Sequence, residues 1–208
     1  MKLAIFGGSG KTGQHLVQQA LDSGYEVVAL VRTPTKLGLQ HARLSIIQGD
    51  ILDAQRVEET VRAADAVLSV LGPSSNKPEF AISRGMDHIL KAAQKYNVRR
   101  IIISAGAGVR APQDKPKLID RFFGFVLRIV SGNVVADMEQ VVHKLKTSPL
   151  DWTIVRVPML TDQPAQGQFK IGYVGDISPR ISRADMAAFM LKQVKDSQFV
   201  RALPAISN

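Results

Sequence analysis

Six short runs of almost unbroken apolar residues punctuate the chain: Lys2–Phe6, Glu26–Val31, Leu44–Gln48, Ala66–Val70, Arg99–Ser104 and Trp152–Val157. They are rich in Val, Ile, Leu and Ala and do not alternate with polar residues. That pattern predicts strands buried on both faces, as in a parallel sheet covered by helices. Between them, Lys11–Ser23, Ala54–Ala63, Glu79–Tyr96 and Asn133–Thr147 carry apolar residues at helical spacing, which predicts crossover helices. Val134, Met138, Val141, Val142 and Leu145 show that spacing well. Gly24, following Ser23, reads as the residue that ends the first helix and turns the chain into the second strand.

Beyond residue 158 the periodicity weakens. A Pro/Gly-rich stretch leads to a predicted strand over Gln168–Val174. Ser182-Arg-Ala-Asp185 then resembles a capping box opening a helix to about Val194. A last strand is expected near Phe199–Leu203. Strand–helix alternation and right-handed crossovers leave one favoured architecture, an α/β doubly wound parallel sheet in the order 3-2-1-4-5-6 with a C-terminal extension. No repeat or low-complexity linker interrupts the 208 residues, so a single domain is expected.

Composition excludes more than it selects. Hydrophobic residues at 45% and charged residues at 22% describe an ordinary folded domain. The absence of cysteine removes disulfides, thiolate catalysis and cysteine-ligated metals. His15, His41, His88 and His143 lack the spacing of metal ligands, so no metal is expected. The first apolar run reaches glycine at position 7, too early for a secretory segment, and no run approaches the roughly 18 residues of a membrane span. The most apolar stretch, Leu118–Ser131, is broken by Asp120, Arg121 and Arg128. A cytoplasmic protein without membrane attachment, monomeric or weakly dimeric, is the expectation. A formal net charge of +9 points to an anionic partner, but the 27 Lys and Arg residues are dispersed and aromatics make up only 6%. That distribution disfavours nucleic acid and suits a phosphorylated cofactor, or simply solubility.

The strongest local signal lies where the first strand ends. Gly7-Gly8-Ser9-Gly10-Lys11-Thr12-Gly13 separates Lys2–Phe6 from an amphipathic helix, the strand–turn–helix context of a dinucleotide fingerprint. Gly7 permits the tight turn, Gly10 lets backbone approach a pyrophosphate, and Gly13 allows close helix packing, with free helix N–H groups to hold phosphate. Gly10-Lys11-Thr12 imitates the end of a P-loop, but the required earlier glycine would fall at Ile5, so the loop is too short for an NTPase. The domain therefore reads as Rossmann-type.

NAD-binding domains of this type place an acid roughly 20 residues past the glycines, on the ribose 2′-hydroxyl. Here Arg32 stands 19 positions past Gly13, followed by Thr33, Pro34, Thr35 and Lys36. A guanidinium and an ammonium suit a 2′-phosphate, so NADPH is the expected cofactor. Asp50 and Ile51 after the third strand, and Leu71 and Gly72 after the fourth, stand at C-terminal strand ends, where they read either as plain turns or as flanking the adenine and the nicotinamide respectively. Ser104, ending the fifth strand, could orient a substrate or merely cap that strand. No tyrosine has a lysine four positions later, so the Y-x-x-x-K pair of alcohol-oxidising short-chain enzymes is missing. Hydride transfer to a readily reduced acceptor needs only proximity and exclusion of water.

The segments Leu3–Gly13, Gly24–Arg32, Gly49-Asp50, Thr161-Asp-Gln-Pro164 and Ile181–Leu191 resemble the atypical short-chain NAD(P)H-binding proteins, and among them the biliverdin-IXβ reductase, or flavin reductase, group. The resemblance implies NADPH-dependent reduction of free flavin (FMN or riboflavin) or a tetrapyrrole, flavin being a substrate rather than a tightly bound group. It places phosphate binding at Gly10, Lys11, Thr12 and Gly13, and 2′-phosphate binding at Arg32, with Gly7, Ser9, Thr33 and Ser104 also expected among the cofactor-binding residues. A pocket histidine of that group aligns with Met159, and a pocket serine with Gly106, departures that weigh against tetrapyrrole more than flavin. Phe122 and Phe123, in the apolar 118–131 stretch, read either as core or as a wall over a flat substrate. Residues 158–208 are expected to complete the substrate side. A non-catalytic NADP(H) sensor stays open as the alternative, as does an epimerase, although epimerases normally keep the missing tyrosine.

Overall fold

The computed structural model describes every residue except 73–75, 77, 107, 119–125 and 127. Its strands follow the apolar runs. β1 (Lys2–Phe6), β2 (Glu26–Val31) and β3 (Leu44–Gln48) have the predicted bounds, and β4 (Ala66–Ser69), β5 (Arg100–Gly106) and β6 (Asp151–Val157) shift by one or two residues. The sheet order begins β3-β2-β1-β4-β5-β6, all parallel. Every strand of its centre is buried on both sides: Leu3 and Ile5 face one core, Ala4 and Phe6 the other, and none is more than 1% exposed.

Helices fill both faces. α1 (Lys11–Asp22) places Leu16, Val17, Ala20 and Leu21 against the first core, joined there by Met186, Phe189 and Met190 of α5 (Arg183–Lys192). The opposite face is covered by α2 (Ala54–Val61), α3 (Ala81–Lys95) and α4 (Gly132–Thr147). Gly24, at φ +85°, terminates α1 as expected: its N–H and that of Tyr25 turn back to the carbonyls of Leu21 and Ala20.

The C-terminal third departs from expectation at one point. Phe199–Leu203 is not the last strand. It is a turn that touches β6 through a single bridge, Thr153 to Ala202, and its apolar residues pack instead: the Phe199 ring lies 6.0 Å from that of Phe189. The chain enters the sheet only after Pro204, as β10 (Ala205–Ser207), parallel to β6. β8 (Lys170–Gly172), inside the predicted Gln168–Val174, adds an antiparallel edge, so the eight-stranded sheet ends β6-β10-β8. Two three-residue strands that periodicity could not reveal, β7 (Met159–Thr161) and β9 (Arg180–Ser182), form a separate parallel pair. Ser182 caps α5 as predicted, accepting the Asp185 N–H at 3.0 Å. The Asp185 carboxylate reaches outward, accepting the N–H groups of Gln166 and Gly167 and the Asn208 amide. Burial pushes this carboxyl up, but those donors and the Ser182 hydroxyl reverse the effect and hold it below the usual carboxylate range.

Candidate cofactor site

A cleft of about 340 Å³ opens at the C-terminal ends of β1 to β4. One wall is the glycine turn, through Gly7, Ser9 and Gly10. Gly7, at φ +84°, makes the turn out of β1, and a Cβ there would sit 3.0 Å from the Val70 carbonyl carbon. Gly13 is tighter still: a Cβ would lie 2.0 Å from the Gly7 oxygen and 2.7 Å from the Gly8 Cα. The start of α1 thus rests on the turn itself, backbone against backbone. A Cβ on Gly10 would meet nothing nearer than 3.4 Å, so the backbone is open to a ligand there. α1 has no side-chain cap and no acid in its first turn. Its leading N–H groups, unpaired within the helix, and its positive dipole end favour an anion.

The β2 end bears Arg32 and Lys36, both lining the cleft. Lys36 belongs to a one-turn 3₁₀ helix pinned to α1, because the Gln14 amide donates to its carbonyl at 2.7 Å. Arg32 is 71% exposed, and its Nε stands 4.0 Å from Asp50 Oδ2. The other Asp50 oxygen accepts the Leu52 N–H at 2.9 Å, which fixes the turn after β3. Ile51 lies across Gly85 of α3, where a Cβ would come within 2.2 Å of its side chain. Leu71 and Gly72 complete the β4 side.

The far wall is built from α3 and α4. Phe80 precedes α3 in the left-handed region, at φ +48°, and offers α3 no side-chain cap. The cap comes instead from α4: the Asp137 carboxylate accepts the N–H groups of Ile82 and Ser83 at 3.1 and 2.8 Å. Lys144 continues the staple, donating to the Ser83 carbonyl and to Asp87. Glu79, Phe80, Asn133 and Asp137 therefore line the cleft. Sequence reasoning misses them: helical spacing marks only core faces, and nothing local signals that Asp137 caps a helix some fifty residues earlier.

Of the expected site residues, Gly7, Ser9, Gly10, Arg32, Asp50, Ile51, Leu71 and Gly72 converge on this cleft. Thr12 and Gly13 are buried behind it at the start of α1. Thr33 is exposed and stands off the lining, its carbonyl accepting the Lys36 N–H. Ser104 is half-buried in β5 opposite Val155, outside the cleft lining. Met159, at the start of β7, is 57% exposed. Phe122 and Phe123 lie outside the described residues.

Lys11 turns away from the cleft. Its Nζ lies 2.8 Å from Asp162 Oδ2, and Arg183 holds the other Asp162 oxygen at 2.6 Å. The Lys11 hydrogen bond, helped by Arg183, keeps the Asp162 carboxyl below its usual range. The loop that follows β5 is anchored underneath. Arg156, fully buried, pairs through both terminal nitrogens with Asp114 and donates to the carbonyls of Leu203 and Val109. Asp114 also accepts the N–H groups of Ala111 and Val174. Among the described residues no acidic or histidine cluster could hold a metal ion, and no helix is long and apolar enough to cross a membrane.

A glycine turn at the β1–α1 junction, an open helix N-terminus and a cleft across the strand ends define a doubly wound, dinucleotide-binding α/β domain. The chain belongs to the NAD(P)H-binding family, whose model matches residues 7–197. It is 30% identical over 110 residues to the Bacillus subtilis protein YwnB, spanning 48% of that relative's length. It is 27% identical over 117 residues to a cinnamoyl-CoA reductase 1 of Petunia hybrida, spanning 35% of it. The chain thus covers half or less of these curated relatives. Three solved structures share the fold over the whole chain. They are the oxidoreductase ylbE of Lactococcus lactis (TM-score 0.83, 19% identity, 91% of that chain), a Veillonella parvula short-chain dehydrogenase/reductase in complex with NADP (0.81, 20%, 94%) and ChuY, an anaerobillin reductase of Escherichia coli O157:H7 (0.78, 23%, 97%).

Proposed function

We propose that the protein is an NADPH-dependent reductase that delivers hydride directly to a planar acceptor such as FMN, riboflavin or a tetrapyrrole. The observation that carries this reading is the β2 end of the cleft, where Arg32 and Lys36 stand in place of the acid an NAD-binder uses. Bound NADPH would supply the hydride. The turn at Ser9–Gly13 holds its pyrophosphate, Arg32 with Lys36 and Thr33 its 2′-phosphate, Asp50 and Ile51 its adenosine, and Leu71 with Gly72 the nicotinamide side. Ser104 orients the acceptor, while Met159 offers it an apolar side chain. Residues 158–208 complete the acceptor side. Likeness to an anaerobillin reductase supports a tetrapyrrole among the acceptors. The absent Y-x-x-x-K pair supports acceptors that need no enzyme acid.

Arg32→Asp is expected to weaken NADPH binding by about tenfold to a hundredfold, the value of a charge-assisted hydrogen bond or two. NADH binding should change far less. Titrating both cofactors checks this, and equal losses would remove the assignment. A second reading, a sensor that binds NADP(H) without turnover, is favoured by the lack of an acid–base pair. NADPH oxidation assayed with FMN, riboflavin, a linear tetrapyrrole and a quinone separates the two. Turnover on any of them is the expected result; tight binding with no turnover would establish the sensor.

A further inference from the structure

Asp162 joins two parts of the molecule that have no covalent reason to meet. It follows β7, on the acceptor side, yet it grips Lys11, the first residue of the helix that receives the cofactor's pyrophosphate. Arg183, the first residue of α5, takes its other oxygen. The two helices are packed side by side here, with the Gln19 amide of α1 donating to the Ala184 carbonyl of α5 at 3.0 Å. A lysine at the start of α1 is well placed to meet a phosphate, but a carboxylate 2.8 Å from its nitrogen already answers much of its charge.

We propose that Asp162 sets cofactor affinity by competing with the cofactor's phosphate for Lys11. In the empty protein Asp162 holds the ammonium; when cofactor arrives, Lys11 transfers to the phosphate and Arg183 alone retains the carboxylate. Arg183 makes the exchange feasible, because it spares Asp162 from losing both cations at once. Affinity is thereby linked to the Met159–Thr161 strand that Asp162 terminates. By reciprocity, displacement of that strand by an acceptor changes how tightly cofactor is held. The inference rests on the reading of Lys11 as a phosphate ligand.

The test is a double-mutant cycle on NADPH dissociation constants at low ionic strength, using wild type, Asp162→Asn, Lys11→Met and the double variant. Asp162 is 60% exposed on its side chain, so the asparagine variant keeps the fold. Asp162→Asn is expected to tighten NADPH binding about threefold, the scale of an exposed ion pair. The gain should shrink as salt screens the charges. Lys11→Met should weaken binding, and adding Asp162→Asn to it should produce no gain. If Lys11→Met weakens binding while Asp162→Asn leaves it unchanged or weaker, the competition is wrong and the phosphate role of Lys11 stands. If Lys11→Met binds as tightly as wild type, that role fails and takes the proposal with it.

Discussion

Gly13→Ala is expected to remove measurable NADPH binding and to destabilise the fold by about 3 kcal/mol, the upper range for forcing a methyl into a packed site. The new Cβ would lie 2.0 Å from the Gly7 oxygen, and both sides of the clash are backbone. No rotamer relieves it. α1 would have to lift off the turn, and Leu16, Val17, Ala20 and Leu21 would carry that movement into the core. On the proposed function the cofactor effect follows, because the helix N–H groups and the turn would hold phosphate only in their mutual register. Gly10→Ala provides the contrast. Its Cβ meets nothing nearer than 3.4 Å, so stability should change little while affinity falls, the methyl entering the space that the proposed function gives to the pyrophosphate. Denaturant unfolding and NADPH titration of both variants check the pair. Wild-type affinity in Gly13→Ala would show that the turn is not where the cofactor rests.

The next largest effect is expected at Asp114. Removing it leaves the Arg156 guanidinium, whose side chain is 0% exposed, without its counter-ion, and breaking such a pair costs about 3–5 kcal/mol. Asp114→Ala should show that loss in urea unfolding. Adding Arg156→Met should recover a large part of it, since the stranded charge is then gone. The pair also predicts a pH dependence. Burial pushes the Asp114 carboxyl up, but Arg156 and the N–H groups of Ala111 and Val174 outweigh it and hold the folded-state value below the ordinary one. The corresponding stability is present in full above the unfolded-state pKa, about 3.9. It is lost as pH falls from there through the lowered folded-state value. Stability should therefore decline below about pH 4 in the wild type and less steeply in Asp114→Asn. Parallel slopes would mean that the pair does not govern acid unfolding.

Much of this molecule can be read before it is folded, for a physical reason. The central strands of a doubly wound sheet are buried on both faces, so β1, β2 and β4 appear as nearly unbroken apolar runs. The run at β3 predicts the same burial, but as the edge strand it stays largely exposed. The glycine turn is legible because Gly7 and Gly13 leave no room for a side chain. Arg32 is legible because the acid it replaces has a known distance from that turn. The rest depends on partners remote in sequence. Asp137 looks like a polar residue on a helix surface until α3 is seen to lack its own cap. Asp114 and Arg156 carry no local mark of their pairing. β7 and β9 are too short for periodicity to register, and Phe199–Leu203 is apolar because it packs, whereas β10 lies beyond a proline that masks it.

The Asp114–Arg156 pair has a consequence for how the fold comes apart. It fastens the chain leaving β5 to β6, and the Lys115 N–H bonds the Val174 carbonyl just beyond it. Arg156 also holds the Leu203 carbonyl and Asp114 the Val174 N–H, so stretches remote in sequence hang from one pair of charges. The backbone hydrogens of Ala111 and Val174 should therefore exchange with solvent together, in one opening event.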